Sequence, residues 1–155
     1  MTQNQKAFLD MIAWSEIGAD LLAVSDNGYN VIVGSTASTP ILFDSYADHP
    51  RRLIDLGNGL KSTAAGRYQS LARYFDVYKK QLNLPDFGYD SQDAIALQMI
   101  RECHALDDIE AGTIDQAVSK CSSRWASLPG NSYGQHQHSV SDLRAAYIMA
   151  GGTIA

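Results

Sequence analysis

Ala7-Phe8-Leu9-Asp10-Met11-Ile12-Ala13-Trp14-Ser15-Glu16 is the stretch whose reading decides the fold. Phe8, Met11, Ile12 and Ser15 follow the i, i+3, i+4, i+7 rule and share one helix face. Glu16 stands four residues after Ile12, so it prolongs the apolar side of the helix. Gly18 follows, and glycine is a usual stop for a helix. The spacing therefore predicts a short amphipathic helix ending in a carboxyl group that points into the protein. The carbonyl end of a helix disfavours negative charge, and so does partial burial. Both push Glu16 towards a protonated acid near neutral pH, the state a general acid requires. The bland alternative is an exposed surface glutamate paired with a lysine.

The 155 residues suit one domain, taken here as residues 1–155, with enough chain to bury a core. Hydrophobic residues make up 45% and charged residues 19% of the sequence, ordinary values for a globular protein. A net charge of −5 and the lack of a basic block interleaved with aromatics argue against a nucleic-acid partner and against attraction to anionic membranes. No stretch approaches the about 20 apolar residues that span a bilayer, and the first residues lack the features of a signal peptide. Synthesis and folding in a cytoplasm are the expectation. Cys103 and Cys121 are read as reduced cysteines buried on helices.

Beyond the first helix, Asp26-Asn27-Gly28 is a turn signal. Tyr29–Val33 reads as a strand, with Ile41-Leu42-Phe43 as its hairpin return. The remainder reads as about four helices. One spans Gly66 to Leu82, with Tyr68, Leu71, Phe75 and Tyr78 inward. One is capped by Asp90 or Ser91 and carries Ile95, Met99, Ile100 and Cys103. One opens with a capping box, Thr113 to Gln116, and turns Ala117, Val118 and Cys121 inward. The last starts at Ser139 or Ser141 and stops at Gly151-Gly152. Leu128 to His138 reads as a loop. The order predicts an α+β fold, mainly helical, with a small β-hairpin region and a cleft between lobes.

A helix ending in an acid, then a hairpin, then a helical lobe is the plan of lysozyme-like folds. Further stretches make the resemblance specific: Gly28-Tyr29-Asn30-Val31-Ile32-Val33-Gly34, Tyr46-Ala47-Asp48-His49-Pro50-Arg51, Leu60-Lys61-Ser62-Thr63-Ala64-Ala65-Gly66-Arg67-Tyr68-Gln69, Trp125-Ala126-Ser127-Leu128-Pro129-Gly130, Tyr133-Gly134-Gln135 and Ala150-Gly151-Gly152-Thr153. With Lys6 to Glu16, they resemble the endolysin family of lambda-like bacteriophages, in order, from about residue 6 to 153.

The resemblance implies a lytic transglycosylase acting on peptidoglycan glycan strands in host lysis. Such an enzyme cleaves the β-1,4 bond between N-acetylmuramic acid and N-acetylglucosamine without water and leaves a 1,6-anhydro end. The family's catalytic glutamate falls on Glu16. Substrate contacts are expected from His49, Ser62, Gln69, Tyr133 and Gln135, and lips over the sugar chain from about Tyr46 to Asp55 and Leu128 to His138. No cofactor is implied. A monomer is expected, made in the host cytoplasm and relying on a holin to reach the periplasmic wall.

The chain departs from the family pattern at Ile17, which stands where the family has Gly directly after the glutamate, and in a longer Gly34–Phe43 loop. Asp26, ten residues after Glu16, keeps open a hydrolytic phage muramidase in which Asp26 positions water; its plainer reading is a turn residue. A non-catalytic peptidoglycan-binding module is the third alternative. His136-x-His138, with His49 or His104, has the makings of a metal set, but no Cys or acid has matching spacing, so these are read as loop histidines and no metal is expected. Arg67 and Tyr68 are read as structural, and Trp14 and Trp125 as core or cleft wall.

Overall fold

The computed structural model describes residues 1–155 as α1 (Gln3–Ile17), α2 (Ala19–Val24), β1 (Ile54–Asp55), β2 (Lys61–Ser62), α3 (Ala72–Gln81), α4 (Tyr89–Glu102), α5 (Leu106–Ala111), α6 (Ile114–Cys121) and α7 (Val140–Met149). The chain divides into two compact units. Unit 1 is Met1–Glu16 with Ala96–Ala155, and unit 2 is Ile17–Ile95. No helix is long and apolar enough to cross a membrane.

In unit 1, α1 follows the predicted face. Phe8, Met11 and Ile12 are fully buried and Ser15 nearly so. Burial of each large apolar side chain contributes about 2 kcal/mol, which outweighs helix propensity as the reason this segment is fixed. Gly18, with φ of 86°, takes the backbone conformation at which the helix ends. Ala117, Val118 and Cys121 of α6 point inward as expected. The capping box does not form. Thr113 makes no side-chain cap, because its hydroxyl turns back to donate to the carbonyl of Asp108 within α5. Helix α5 carries too few periodic residues to be foreseen; it closes at Gly112, whose φ is 75°. Cys103 lies half-buried in the turn after α4 rather than within the helix. Ser139 caps α7, accepting from Asp142 N–H at 3.1 Å.

Unit 2 differs more from the expectation. The predicted hairpin survives as an isolated bridge, Val31 to Leu42, with Ile32 N–H donating to the Ile41 carbonyl and Phe43 N–H to that of Asn30. The two-stranded sheet is instead β1–β2, antiparallel, with Ile54 opposite Ser62 and Asp55 opposite Lys61. The helix expected from Gly66 starts only at Ala72. Ala65 and Ser70 exchange both backbone hydrogen bonds around a tight turn. Gly66 and Gln69 hold φ of 81° and 50° in that turn. Tyr68 matches the helical period yet is buried for another reason, as its hydroxyl donates to Asp93 Oδ1 at 2.6 Å.

The hub of unit 2 is the buried Gln92. Its Oε1 accepts from Arg67 N–H at 2.9 Å, and its Nε2 donates to the carbonyls of Tyr29 and Phe87 at 3.0 and 2.8 Å. A Cβ on Gly66 would stand 2.3 Å from Gln92 Oε1. Gly66→Ala must therefore break the hub and strain a positive-φ position, and is expected to destabilise by about 3 kcal/mol. Urea denaturation monitored by circular dichroism measures this; a loss below about 1 kcal/mol would contradict the role given to Gln92.

Candidate active site

Glu16 occupies the end of α1 that the periodicity assigned to it, half-buried. A loop of the same unit closes on it. Ser127 approaches with both of its donors: its hydroxyl donates to Glu16 Oε1, and its N–H points at the same oxygen from 3.4 Å. Ser15, one residue before the acid, donates its hydroxyl to Ser127 Oγ at 2.7 Å. Burial pushes the Glu16 carboxyl above its ordinary value, and the two bonds from Ser127 pull it part of the way back.

The loop is built to hold Ser127 still. Asn131 organises it, with Nδ2 donating to the Ser122, Ala126 and Leu128 carbonyls at 3.0, 3.3 and 2.8 Å. Asn131 Oδ1 accepts from Tyr133 N–H at 3.2 Å and from Gln137 Nε2 at 3.0 Å. His138 N–H donates to the Ser127 carbonyl at 2.9 Å, and His138 Nε2 meets the Ser15 carbonyl at 3.2 Å. The His138 ring packs on Trp14 at 4.6 Å between centroids, and His136 stands edge-on to it at 4.9 Å. His138 pins the loop to α1, and no three His, Cys, Asp or Glu side chains group as a metal would need.

Tyr133 is 55% exposed, with its hydroxyl tethered to the Ser123 carbonyl at 2.8 Å. That leaves an aromatic face open on a fixed ring. Gln135 is exposed on the same loop.

In unit 2 the remaining predicted residues fall in different settings. His49 is buried, and both its ring nitrogens are engaged. Nε2 meets the Ser70 carbonyl at 2.9 Å, and Nδ1 accepts from Arg51 N–H at 3.0 Å. Burial pushes its pKa down. His49 is therefore a neutral tether of its loop, with no polar atom left for a sugar. Ser62 lies half-buried in β2, its hydroxyl accepting from Ala64 N–H at 3.1 Å. Gln69 sits in the turn before α3, its Nε2 donating to the Gly66 carbonyl at 2.9 Å. Asp26 follows α2, and two phenols converge on its Oδ2: Tyr46 at 2.5 Å and Tyr89. Arg67 lies over the Tyr29 ring at 5.2 Å and donates to the Asn27 carbonyl, a structural role as expected.

Ser127 and Asn131 were not singled out by sequence reasoning, and Ser15 was placed only on the inward face of the first helix. Ser127 lies within a motif stretch, but its contact with Glu16 spans 111 positions and no local spacing reveals it.

An endolysin family model matches residues 6–154. The endolysin of Escherichia phage lambda is 51% identical over 99% of this chain and 95% of its own length. That of Escherichia phage P2 is 49% identical over 99% of this chain and 96% of its own. The structure of bacteriophage lambda lysozyme complexed with a chitohexasaccharide superposes with a TM-score of 0.92, at 51% identity, over 100% of this chain and 98% of that one. A second structure of the lambda lysozyme gives 0.88 at 50% identity over the same shares. The α+β fold is thus lysozyme-like, mainly helical with a small two-stranded sheet, and the chain belongs to the endolysin family.

Proposed function

We propose that this endolysin is a lytic transglycosylase, with Glu16 as its one acid and base. It cleaves the β-1,4 bond between N-acetylmuramic acid and N-acetylglucosamine in peptidoglycan. The carrying observation is the environment of Glu16: burial favours its protonated form, while the Ser127 donors favour its ionised form. One group must occupy both states in a single turnover. Glu16 gives its proton to the departing O4 as the C1–O4 bond breaks. The muramic O6 forms the C1–O6 bond, and its proton passes to the Glu16 carboxylate. Atoms and charge balance with no water consumed.

Most glycosidases need a second carboxylate to activate water or act as nucleophile. A tethered hydroxyl removes that need, since proximity already supplies the nucleophile. The setting of Asp26 supports the one-carboxylate reading, because its Oδ2 is bound by two tyrosine hydroxyls in the role of a turn tether. The glycan ligand in the lambda lysozyme structure supports a sugar-chain substrate here. In unit 1 the open ring of Tyr133 and the exposed Gln135 are assigned to sugar contacts. In unit 2 Ser62 and Gln69 are assigned to further ones. The protein is proposed to act as a monomer, without a cofactor, on the periplasmic wall after synthesis in the host cytoplasm and passage through a holin lesion.

Glu16→Gln keeps the shape and removes the proton. It is expected to lower the rate of release of fragments from purified peptidoglycan by roughly 10³-fold. Mass spectrometry of the wild-type fragments should show 1,6-anhydromuramic ends, lighter by one water than reducing ends. Reducing ends would promote Asp26 to a catalyst, and an absence of fragments would favour a binding module.

The raised Glu16 pKa also links stability to pH. The unfolded chain releases this proton near 4.5, while the folded chain retains it to higher pH. Stability contributed by the neutral acid is therefore lost as pH rises from about 4.5 through the folded value. Glu16→Gln should match the wild type in melting temperature at pH 4 and exceed it by a few degrees at pH 8. Equal melting temperatures at both would contradict the burial of the charge.

A further inference from the structure

A carboxyl oxygen has two acceptor positions, and Glu16 Oε1 has a donor at each: the Ser127 hydroxyl and the Ser127 N–H. The Ser127 hydroxyl is itself oriented. Its oxygen accepts from Ser15 at 2.7 Å, which leaves its own proton for Glu16. Ser15 is 7% exposed on a helix held by its buried face, and the Ser127 backbone is fixed through its carbonyl by His138 N–H. Three oxygens therefore form a directed chain, Ser15 to Ser127 to Glu16, inside one unit.

We propose that Ser127, backed by Ser15, is a positioning residue for the acid: its two donors saturate Oε1, so the transferable proton is carried on Oε2. This deepens the reading of Glu16 as acid and base, and rests on it. When Oε2 loses its proton, the new negative charge is already met at Oε1 by two fixed donors that need no reorganisation. Without them, the carboxyl can rotate about its last torsion and present either oxygen, and burial alone opposes ionisation.

Charged neighbours do not supply this effect. On α1, Lys6 and Asp10 pair with each other at 2.7 Å. On the loop, the titratable groups are Tyr133, whose hydroxyl donates to the Ser123 carbonyl, His136, and His138, the latter bonded through Nε2 to the Ser15 carbonyl. Burial and the Ser127 bonds alone account for the displacement of Glu16.

The test is the pH–rate profile of glycan-strand cleavage by the wild type, Ser127→Ala, Ser127→Thr, Ser15→Ala and Glu16→Gln, each checked for folding by circular dichroism and melting. Ser127→Ala removes a donor to the carboxylate. Its alkaline limb should move up by about one pH unit. Its kcat should fall about tenfold or more with KM little changed. Ser127→Thr, which keeps the hydroxyl, should restore both, and Ser15→Ala should shift the limb in the same direction by less. A folded Ser127→Ala with the wild-type limb overturns the proposal. Should Ser127→Ala not fold, Ser15→Ala decides: an upward shift supports the chain, and an unmoved limb overturns it. The two readings fail separately. A fully active Glu16→Gln removes Glu16 as the acid, whereas an inactive Glu16→Gln with an unmoved serine-variant limb removes only the role of Ser127.

Discussion

The structure depends on one electrostatic constraint: a carboxyl group, Glu16, held at the negative end of a helix and half out of water. Desolvation alone makes ionisation costly. Two donors on one oxygen alone make protonation costly. Ser127 sets these against each other, and the rest of unit 1 serves to keep that balance fixed. The apolar face of α1 holds Glu16 and Ser15. Asn131, with five hydrogen bonds, holds the loop that carries Ser127. His138 ties the two together, through Ser127 on one side and the Ser15 carbonyl on the other.

Unit 2 meets a different demand. Between α2 and α3 it has only a two-residue strand pair and several turns, so many backbone groups there find partners in side chains rather than in long ladders. Gln92 serves three backbone groups at once. Two carboxylates each gather two tyrosine hydroxyls: Asp93 from Tyr29 and Tyr68, and Asp26 from Tyr46 and Tyr89. Where such a network is buried, as at Gln92 and Tyr68, it is costly when broken and specifies one arrangement when complete. Asp26, ten residues beyond Glu16, is held in such a set by two phenols on one oxygen.

What was legible in the sequence follows the range of the interactions. The end of α1 was readable because helical period and a glycine stop are local. So were the inward face of α6, the start of α7 at Ser139 and the loop from Leu128 to His138. The start of α3 was misread because Tyr68 and Leu71 fall in helical register with Phe75, while the real cause of Tyr68's burial lies 25 residues away at Asp93. The Thr113 cap failed because the Asp108 carbonyl competes for the same hydroxyl. The site was half visible. Glu16 could be found from its own helix, but its pairing with Ser127 and the neutral, doubly bonded state of His49 arise only from folding. A histidine in a motif stretch looks the same in sequence whether its nitrogens face a ligand or a carbonyl.

The most direct measurement is the titration of the Glu16 carboxyl itself, by carbon NMR of protein labelled at the glutamate side chain, with Glu16→Gln used to assign the resonance. The account predicts a midpoint clearly above the ordinary 4.5. A midpoint at or below 4.5 would mean that the Ser127 donors outweigh burial, and that Glu16 is not held ready as a proton donor.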